Sequence, residues 1–600
     1  MASVVDTDRI GADAIGRRID GADEKTLITH SEEYGEQQKS SGLERYINHS
    51  SVVNFGVIIL ASWESFAVTF QFALANGGPA SMFYGSVLAG FGACAVGFSL
   101  AELASIDPTV GAQYRWSANL APSANRFWGL LQGWITTAAW CFACGGPPSI
   151  LANIITSLAI FNYDNYTPER WHTSLIMIGT LVLPFLFNLW FRKFLNAFEI
   201  MGGVLHIALF VAFIVILAAL GQRSSSDYVF RTLTSDVSGW NNPGASWGLG
   251  LLTITFSVTG FDSVIHMSDE VKKARTRVPR SVILACVVNS VMLFAFVTIL
   301  LFYIGPLDDL STAPLPLIYV TYNATGSKAA SNTLVSLVAV IIFFASFNML
   351  ASVSRLVWMF ASDKGLPFSR FFSHISPTFK LPMNSLLLIA GIVTCLSLIY
   401  IASATAFNAL ISLQALALHF SYFFPILFLL LRKIRGPPPP YGPFKLGAVG
   451  VPVNIFALSY LIYVVLWMPF PQILPVTKDN MNYAGPIFGA VLIGALVDWF
   501  SPNAESKPGT EINCNHAQPV GLQPLIQDSI EVVIVFCLGQ SLHVRRNSRN
   551  IKQVSRRHGR ASSVPPISAL RPQSSWLAVK IRDTCARRYG DESQDKEDAA

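Results

Sequence analysis

The sequence predicts an all-α membrane protein with twelve transmembrane helices. Hydrophobic residues make up 52% of the 600 residues and charged residues only 13%, and the mean hydropathy is +0.46. A soluble domain usually carries about 25% charged residues. Apolar runs of about 20 residues, the length that crosses a bilayer as a helix, recur between Val52 and Phe500. Composition and run length therefore override the several soluble domains that chain length alone would indicate.

The apolar stretches divide the chain into three parts. Residues 1–46 are polar, mixed in charge and without an apolar run, so we expect a disordered cytoplasmic N-terminus with no cleavable signal peptide. Residues 47–500 form the twelve-helix domain, and residues 501–600 form a cytoplasmic tail that we expect to be disordered. The spans are placed at residues 52–75, 80–101, 127–158, 171–190, 197–220, 247–268, 281–304, 331–354, 383–402, 408–431, 453–473 and 483–500.

Basic residues are concentrated in alternate loops between the spans. Sixteen lysines and arginines fall in loops on the side of the N-terminus, from Arg115 to Lys445, and five fall in the loops of the other side. This is the positive-inside pattern, so both termini are predicted to be cytoplasmic, with the plasma membrane as the expected location. Two Asn-x-Thr sequons, at Asn165 and Asn323, fall in predicted outer loops and are candidate glycosylation sites.

Two of the spans are interrupted by polar residues. The first span carries Ser62, Trp63, Glu64 and Ser65 in its middle, and the sixth is interrupted by Gly260 and Asp262. A matched pair of broken helices indicates a transporter built from an inverted repeat, with its binding site near the bilayer midplane. The spans then form a five-plus-five repeat with two added helices. We expect the two breaks to face each other across the substrate, because opened backbone needs protein or a wet cavity around it.

Four stretches resemble the amino acid/choline transporter family, a largely fungal and bacterial branch of the amino acid–polyamine–organocation superfamily. They are residues 61–64 with 76–79, residues 101–116, residues 260–270 with Pro279, and residues 354–355 with 363–368, 381–384 and 442–447. The resemblance covers residues 45–500. It implies twelve helices in the arrangement above and uptake of amino acids, 4-aminobutyrate or choline, usually driven by protons. The long tail departs from the family, so a retained intron or a gene-model error is the alternative to a cytoplasmic tail.

The first break carries candidate substrate-binding residues: Ser62, Trp63, Glu64 and Ser65. An aromatic face attracts an ammonium group by roughly 0.5–2 kcal/mol, and a carboxylate supplies the counter-charge. Backbone amides freed at the break would suit a substrate carboxylate, so a zwitterion could use both. The alternative is that Glu64 only hydrogen-bonds a neighbouring helix.

The sixth span contributes Phe256, Thr259, Gly260 and Asp262 to the candidate site. Phe256 is the gate aromatic that the resemblance implies, and the alternative is one more core aromatic in a chain with 42 phenylalanines. Asp262 follows the break by two residues, so we expect it to meet backbone amides or a cation, as a site or gate residue. Local capping of the helix is the alternative.

Proton coupling needs a group that titrates during the transport cycle. The resemblance implies a lysine in span five, but the corresponding residue here is Gly203. Glu199 and His206 are the available substitutes, and imidazole titrates nearest physiological pH; a structural role is the alternative for His206. Charged residues at the inner ends of spans are candidates for an inner gate or, alternatively, solvated charges: Glu102, Arg115, Asp269, Glu270 and Arg355.

These observations favour a secondary active permease that imports a small amino compound such as choline, 4-aminobutyrate or a neutral amino acid by alternating access. A nutrient sensor that kept the transporter fold and signals through its tails is the alternative. An enzyme is disfavoured because no metal cluster, nucleophile–base arrangement or P-loop stands out, and no cofactor is expected. The expected partners are the small-molecule substrate, protons and membrane lipid. Nucleic acid is not expected, because the basic residues lie between the spans.

Overall fold

A computed structural model describes residues 43, 45–191, 194–305, 314–478 and 480–500. Apart from residues 43, 45 and 46, the predicted N-terminal segment lies outside the described residues, as does the whole predicted tail. Within the described ranges the chain is helical, and its β pairing is the isolated bridge between Ile47 and Val271. The predicted all-helical fold class is therefore confirmed.

The α-helices of the described residues are numbered α1 to α19 in chain order. In the first half they are α1 (His49–Leu60), α2 (Ser62–Ala67), α3 (Phe70–Ala75), α4 (Gly78–Ile106), α5 (Gln113–Leu120), α6 (Asn125–Ala143), α7 (Gly146–Asn162), α8 (Arg170–Trp190), α9 (Leu195–Leu220), α10 (Ser226–Arg231) and α11 (Pro243–Ser257). In the second half they are α12 (Ala274–Phe302), α13 (Pro316–Thr325), α14 (Lys328–Ser362), α15 (Ser369–Phe372), α16 (Met383–Ala402), α17 (Ala404–Arg435), α18 (Gly450–Trp467) and α19 (Ala484–Trp499). Two 3₁₀ segments lie at Phe261–Glu270 and Gly447–Val449.

Eleven helical stretches of the described residues are long and apolar enough to cross a membrane. They correspond in order to the first eleven predicted spans. The predicted twelfth span matches α19, which is apolar but has only 16 residues. A helix of that length covers about 24 Å, less than the roughly 30 Å hydrocarbon core. The count of twelve crossings therefore stays a prediction.

Both predicted breaks are present. In the first span, α1 ends at Leu60, and Ala61 adopts a left-handed conformation (φ 38°) before α2 begins at Ser62. In the sixth span, α11 ends at Ser257, and Gly260 has φ 109° before the 3₁₀ segment starts at Phe261. A φ of 109° is readily adopted only by a residue without Cβ, so glycine suits this position.

Spans one and six run side by side in opposite directions. Near the start of span one, Gly56 of α1 packs so closely on Val264 that a Cβ atom at Gly56 would lie 2.8 Å from the valine Cγ2. Near the start of span six, Gly250 of α11 lies against the backbone carbonyl of Asn76. Interpolation between these two contacts places the break at Ala61 opposite the break at Gly260. The two interruptions therefore meet at one level, as expected for an inverted repeat.

Candidate functional site

The carboxyl group of Glu64 and the imidazole of His206 form one polar centre at the first break. Glu64 Oε1 lies 2.6 Å from His206 Nδ1, and both side chains are fully buried. The second oxygen of Glu64 and Nε2 of His206 have no hydrogen-bond partner among the described residues. The pair can therefore exist in more than one protonation state without losing its hydrogen bond.

Trp63 lies in an aromatic cluster beside this centre. Its ring centroid is 5.2 Å from that of Phe296, 5.4 Å from that of Phe213 and 6.0 Å from that of Phe210. These neighbours belong to α9 and α12 and not to the sixth span. A cation-binding face on Trp63 stays a prediction, and in this conformation the ring packs in the core.

Ser62 and Asn289 stabilise the first break. Asn289 Oδ1 accepts hydrogen bonds from the backbone N–H of Ser62 at 3.3 Å and from its hydroxyl at 2.7 Å. The Asn289 amide also donates to the carbonyl of Val57, which accepts the backbone N–H of Ala61 at 3.3 Å as well. Ser65 is buried, and its carbonyl accepts a bond from the Thr69 hydroxyl. The amide of α12 thus replaces hydrogen bonds that the helix loses at the break.

Asp262 is the second polar centre, at the break of the sixth span. Its Oδ2 accepts hydrogen bonds from Gln113 at 2.5 Å and Trp140 at 3.0 Å, and its Oδ1 accepts one from Tyr422 at 2.6 Å. We expected backbone amides or a cation, whereas these three donors are neutral side chains from α5, α6 and α17. Both oxygens of this buried carboxyl group therefore have hydrogen-bond partners.

His266 lies next to this carboxylate. Its Nε2 is 3.4 Å from Asp262 Oδ2, and its Nδ1 lies 2.8 Å from the carbonyl of Val110. Because a carbonyl only accepts, the Nδ1 atom carries a hydrogen. The neutral ring would then turn the lone pair of Nε2 toward the carboxylate, and the imidazolium would donate to it. Protonation of His266 therefore strengthens this contact.

A small cavity adjoins the sixth break. Thr259 lies on its wall, where its hydroxyl is 3.2 Å from His419 Nε2, and Tyr422 lines it as well. The volume that the centre of a water molecule can occupy in this cavity is about 10 Å³, which is room for roughly one water molecule. Phe256, in the last turn of α11, is half-buried. The space is too small for choline or an amino acid, so this conformation is closed around the break.

Glu199 lies two turns before His206 on the same face of α9. It is 1% exposed, and its Oε2 accepts a hydrogen bond from the Asn348 amide at 3.2 Å. The structure thus places both predicted coupling residues in the protein interior. It does not join them to each other, since each bonds a different helix.

Three charge pairs lie at the ends of spans that are predicted to face the cytoplasm. Arg355 Nε donates to Glu270 at 2.7 Å, and both side chains are buried. Arg115 binds both oxygens of Asp363, at 2.8 and 2.9 Å, and Lys433 pairs with Glu102. Burial is the largest single effect on the pKa of Arg115 and lowers it, but the neighbouring acidic groups, with Asp363 first among them, together outweigh burial, so the net shift is upward and the guanidinium stays charged. Of the predicted gate residues, Glu102, Arg115, Glu270 and Arg355 are therefore paired.

The two sequons lie on one face of the protein. Asn165 is exposed in a turn after α7, and Asn323 is exposed on α13, on a helix where a loop was predicted. The neighbouring Asn162 and Asn332 are hydrogen-bonded to each other, which brings the two regions together. Two of the charge pairs, those of Arg355 and Asp363, lie toward the opposite end of α14, a helix of 35 residues that is about 52 Å long.

Sequence reasoning missed several residues of these centres: Gln113, Trp140, Asn289, Asn348 and Tyr422. Gln113 lies within residues 101–116, one of the stretches that resemble the family, so it could have been named as a candidate site residue from sequence. The others are single polar or aromatic residues inside apolar spans, where nothing in spacing separates them from residues of the core.

Comparison of the sequence with known proteins identifies the family. The model of the amino acid permease family matches residues 50–493. A Macrophomina phaseolina protein that carries the name of an amino acid/polyamine transporter is 30% identical over 72% of this chain and 96% of its own length. The choline transporter of Saccharomyces cerevisiae is 29% identical over 75% of this chain and 80% of its own. Amino-acid permease 2 of Neurospora crassa is 28% identical over 76% and 85%. The chain therefore belongs to the amino acid permease family and is an integral, multi-pass membrane transporter of a small molecule.

Proposed function

We propose that the protein is a plasma-membrane secondary transporter that imports a small cationic or zwitterionic nitrogen compound by alternating access, driven by protons, with both termini in the cytoplasm. Choline, 4-aminobutyrate and a neutral amino acid are the candidate substrates. The names of the relatives, one a choline transporter and another an amino-acid permease, support this range.

The observation that carries the proposal is a buried acid at each of two facing breaks. Glu64 uses one carboxyl oxygen for His206 and keeps Oε2 for a ligand. We assign this oxygen to the ammonium group of the substrate. Asp262 has both oxygens bonded, so it acts through its charge and through Tyr422, which also lines the cavity. Together the two acids favour a positively charged group between the breaks.

The second substrate group separates the candidates. Amino acids and 4-aminobutyrate carry a carboxylate, which can bind backbone N–H groups freed at a broken helix. Choline has no carboxylate, and its quaternary ammonium is suited to an aromatic face. A site that uses both features accepts zwitterions as well as choline.

Alternating access requires the inner charge pairs to separate. Glu270 lies at the end of the sixth span and Arg355 in α14, so their bond joins a broken span to a continuous helix. Arg115 and Asp363 join α5 to the end of the same continuous helix. With these pairs formed, the route from the breaks to the inner face is closed. Their separation would release the substrate inward.

Uptake in a permease-deficient cell tests the proposal. Radiolabelled choline, 4-aminobutyrate and alanine are supplied with and without unlabelled competitors, and the assay is repeated with a protonophore. We expect uptake of at least one compound, reduced by the protonophore. Surface-expressed protein that moves none of them would contradict the proposal and favour the sensor interpretation. Uptake that is insensitive to the protonophore would exclude protons as the driving ion.

A further inference from the structure

Glu199 and Asn348 form a buried pair that is separate from the centres at the two breaks. The Asn348 amide donates to Glu199 Oε2 at 3.2 Å. Neither Glu199 Oε1 nor Asn348 Oδ1 has a hydrogen-bond partner among the residues that the structure describes. Both side chains are at most 1% exposed. Two side chains thus share one hydrogen bond and leave one acceptor atom each unpaired.

A proton on Glu199 would pair both of these atoms at once. A neutral carboxylic acid has one O–H donor, and a carboxamide offers a donor and an acceptor side by side. The acid and the amide then form two parallel hydrogen bonds, O–H of Glu199 to Oδ1 of Asn348 and N–H of Asn348 to Oε2 of Glu199. A carboxylate would form only one bond and would place an unpaired charge inside the bilayer, which is costly.

No charged group compensates a carboxylate at this position within the described ranges. The titratable or charged side chains on segments packed against α9 are Tyr46, His49, Glu64, Arg275, Arg277, Arg280, Cys286, Tyr319, Tyr322, Lys328 and Arg355. Glu199 Oε2 accepts its hydrogen bond from the neutral Asn348 amide, and Glu199 Oε1 has no hydrogen-bond partner among the described residues. Glu64 is bonded to His206, and Arg355 is bonded to Glu270. The neutral acid is therefore the form that fits these surroundings.

We propose that Glu199 carries the coupled proton and that Asn348 holds it in its protonated form while the inner side is closed. The proposal deepens the proposed function and rests on it. When the inner side opens, the O–H bond of Glu199 breaks and the proton leaves to the inner water, so that a carboxylate remains. The acid–amide pair between α9 and α14 then loses its O–H···O bond.

The position of the pair links the proton to the inner gate. Asn348 and Arg355 are seven residues apart on α14, which puts them on one face about 10 Å from each other. Arg355 pairs with Glu270 at the inner end of the sixth span. On α9, Glu199 and His206 are also seven residues apart, and His206 contacts Glu64 at the first break. The contact between α9 and α14 at Glu199 and Asn348 therefore lies between the first break and the Arg355–Glu270 pair, and its loosening can affect both.

Glu199→Gln is the informative variant because glutamine mimics the protonated acid. Its amide can donate to Asn348 Oδ1 and accept from Asn348 Nδ2, but it cannot release a proton. The full chain is reconstituted in liposomes, and radiolabelled choline, 4-aminobutyrate and alanine are the probes. We expect accumulation driven by an inward proton gradient to fall by a factor of about 10 to 100, the typical range of coupling between two bound ligands. Exchange of internal for external probe at equal pH should persist and lose the part of its pH dependence that Glu199 contributes.

The matched control is Asp227→Asn, the same chemical change at an exposed acid. The Asp227 side chain is 79% exposed, so this variant should behave as wild type. A Glu199→Gln variant that accumulates probe with the wild-type pH dependence overturns the proposal. A folded variant that loses exchange together with accumulation also overturns it, because the role would then be structural.

Infrared difference spectroscopy gives a second measurement that needs no substrate. The wild type at neutral pH should show the C=O stretch of a protonated carboxylic acid that is missing from the Glu199→Gln variant. Identical spectra in this region overturn the proposal. If the wild type transports none of the three probes, the proposed function fails, and this band still decides whether Glu199 is protonated.

Discussion

Glu64 Oε1 and His206 Nδ1 are 2.6 Å apart and join the broken first span to α9 in the fully buried interior. This contact combines the two interpretations of Glu64. One carboxyl oxygen holds a neighbouring helix, and the other is free to meet a ligand. The hydrogen bond fixes the carboxyl group in place, which lowers the entropy cost of binding a substrate there.

The first prediction concerns Glu64→Gln. Glutamine keeps the size of the side chain and can accept a hydrogen bond from His206, but it removes the negative charge. A hydrogen bond to a charged group contributes about 1.5–3 kcal/mol, so we expect uptake affinity to fall by a factor of about 10 to 100. The measurement is the KM of uptake of the transported compound, with surface expression measured in parallel.

The outcome for Glu64→Gln distinguishes binding from folding. A normal amount of protein at the surface with a raised KM supports a role in binding. Loss of surface expression with an unchanged KM in the remaining protein would support the purely structural interpretation. Asp227→Asn provides the control, because it makes the same change at an exposed site.

The second prediction concerns the pH dependence of transport. His206 can gain a proton at Nε2 while Nδ1 keeps its bond to Glu64, so its charge can change during the cycle. We expect His206→Ala to flatten the pH profile of uptake between about pH 5 and 8, where imidazole changes charge. His374→Ala, at an exposed inner-loop residue, is the control. An unchanged profile would exclude His206 from coupling.

The helices could be predicted from sequence more completely than the site. Long apolar runs fix spans because the bilayer admits few alternatives, and both breaks were visible as Glu64 in one run and Gly260 with Asp262 in the other. The predicted twelfth span, residues 483–500, agrees with α19 to within one residue at each end. Hydropathy reports composition, so it does not show whether a helix this short crosses the bilayer.

The partners of the site residues could not be predicted, because they come from distant parts of the chain. Glu64 and His206 are 142 residues apart, and Asp262 receives its donors from three other helices. Tyr422 and Trp140 are aromatic residues in apolar spans, and the sequence carries many of those. Only the packing of the helices selects which of them faces a carboxylate.

The third prediction tests the donors of Asp262. Tyr422→Phe removes the hydroxyl that donates to Oδ1 at 2.6 Å and keeps the ring, which stacks on Phe261. A buried acceptor that loses its donor costs about 1–3 kcal/mol, so we expect KM to rise by roughly tenfold. Tyr463→Phe, a partly exposed residue of α18, is the control. A KM equal to that of the wild type would show that the hydroxyl does not support the site.

The fourth prediction concerns the orientation of the protein in the membrane. Asn165 and Asn323 lie on the face opposite the inner charge pairs, so both sequons should be reached by the glycosylation machinery in a eukaryotic host. Each Asn→Gln substitution should reduce the apparent mass by one glycan. Asn48, just before α1, belongs to a third sequon on the inner face, and Asn48→Gln should leave the mass unchanged. A glycan on Asn48 would contradict the predicted orientation and place the N-terminal end of α1 on the outer side of the membrane.

The fifth prediction concerns the inner gate. Glu270 and Arg355 are buried and paired at 2.7 Å, and removal of one partner leaves the other as an unpaired buried charge. Such a change costs about 3–5 kcal/mol, so we expect Arg355→Ala to lower the melting temperature and to abolish net uptake. The double exchange Glu270→Arg with Arg355→Glu restores the charge pair and should recover part of both.

The exposed pair Asp227–Arg231 provides the comparison for the gate. Its side chains are 79% and 82% exposed, so Arg231→Ala should cost no more than about 1 kcal/mol and leave uptake unchanged. A thiol-reactive probe applied from the cytoplasmic side separates a gate from a structural ion pair. If the pair closes the inner route, a cysteine at Thr259 should react faster in Arg355→Ala than in the parent protein. Equal reaction rates, with the melting temperature lowered, would make the pair a structural element and leave the inner route to be closed by Arg115 and Asp363.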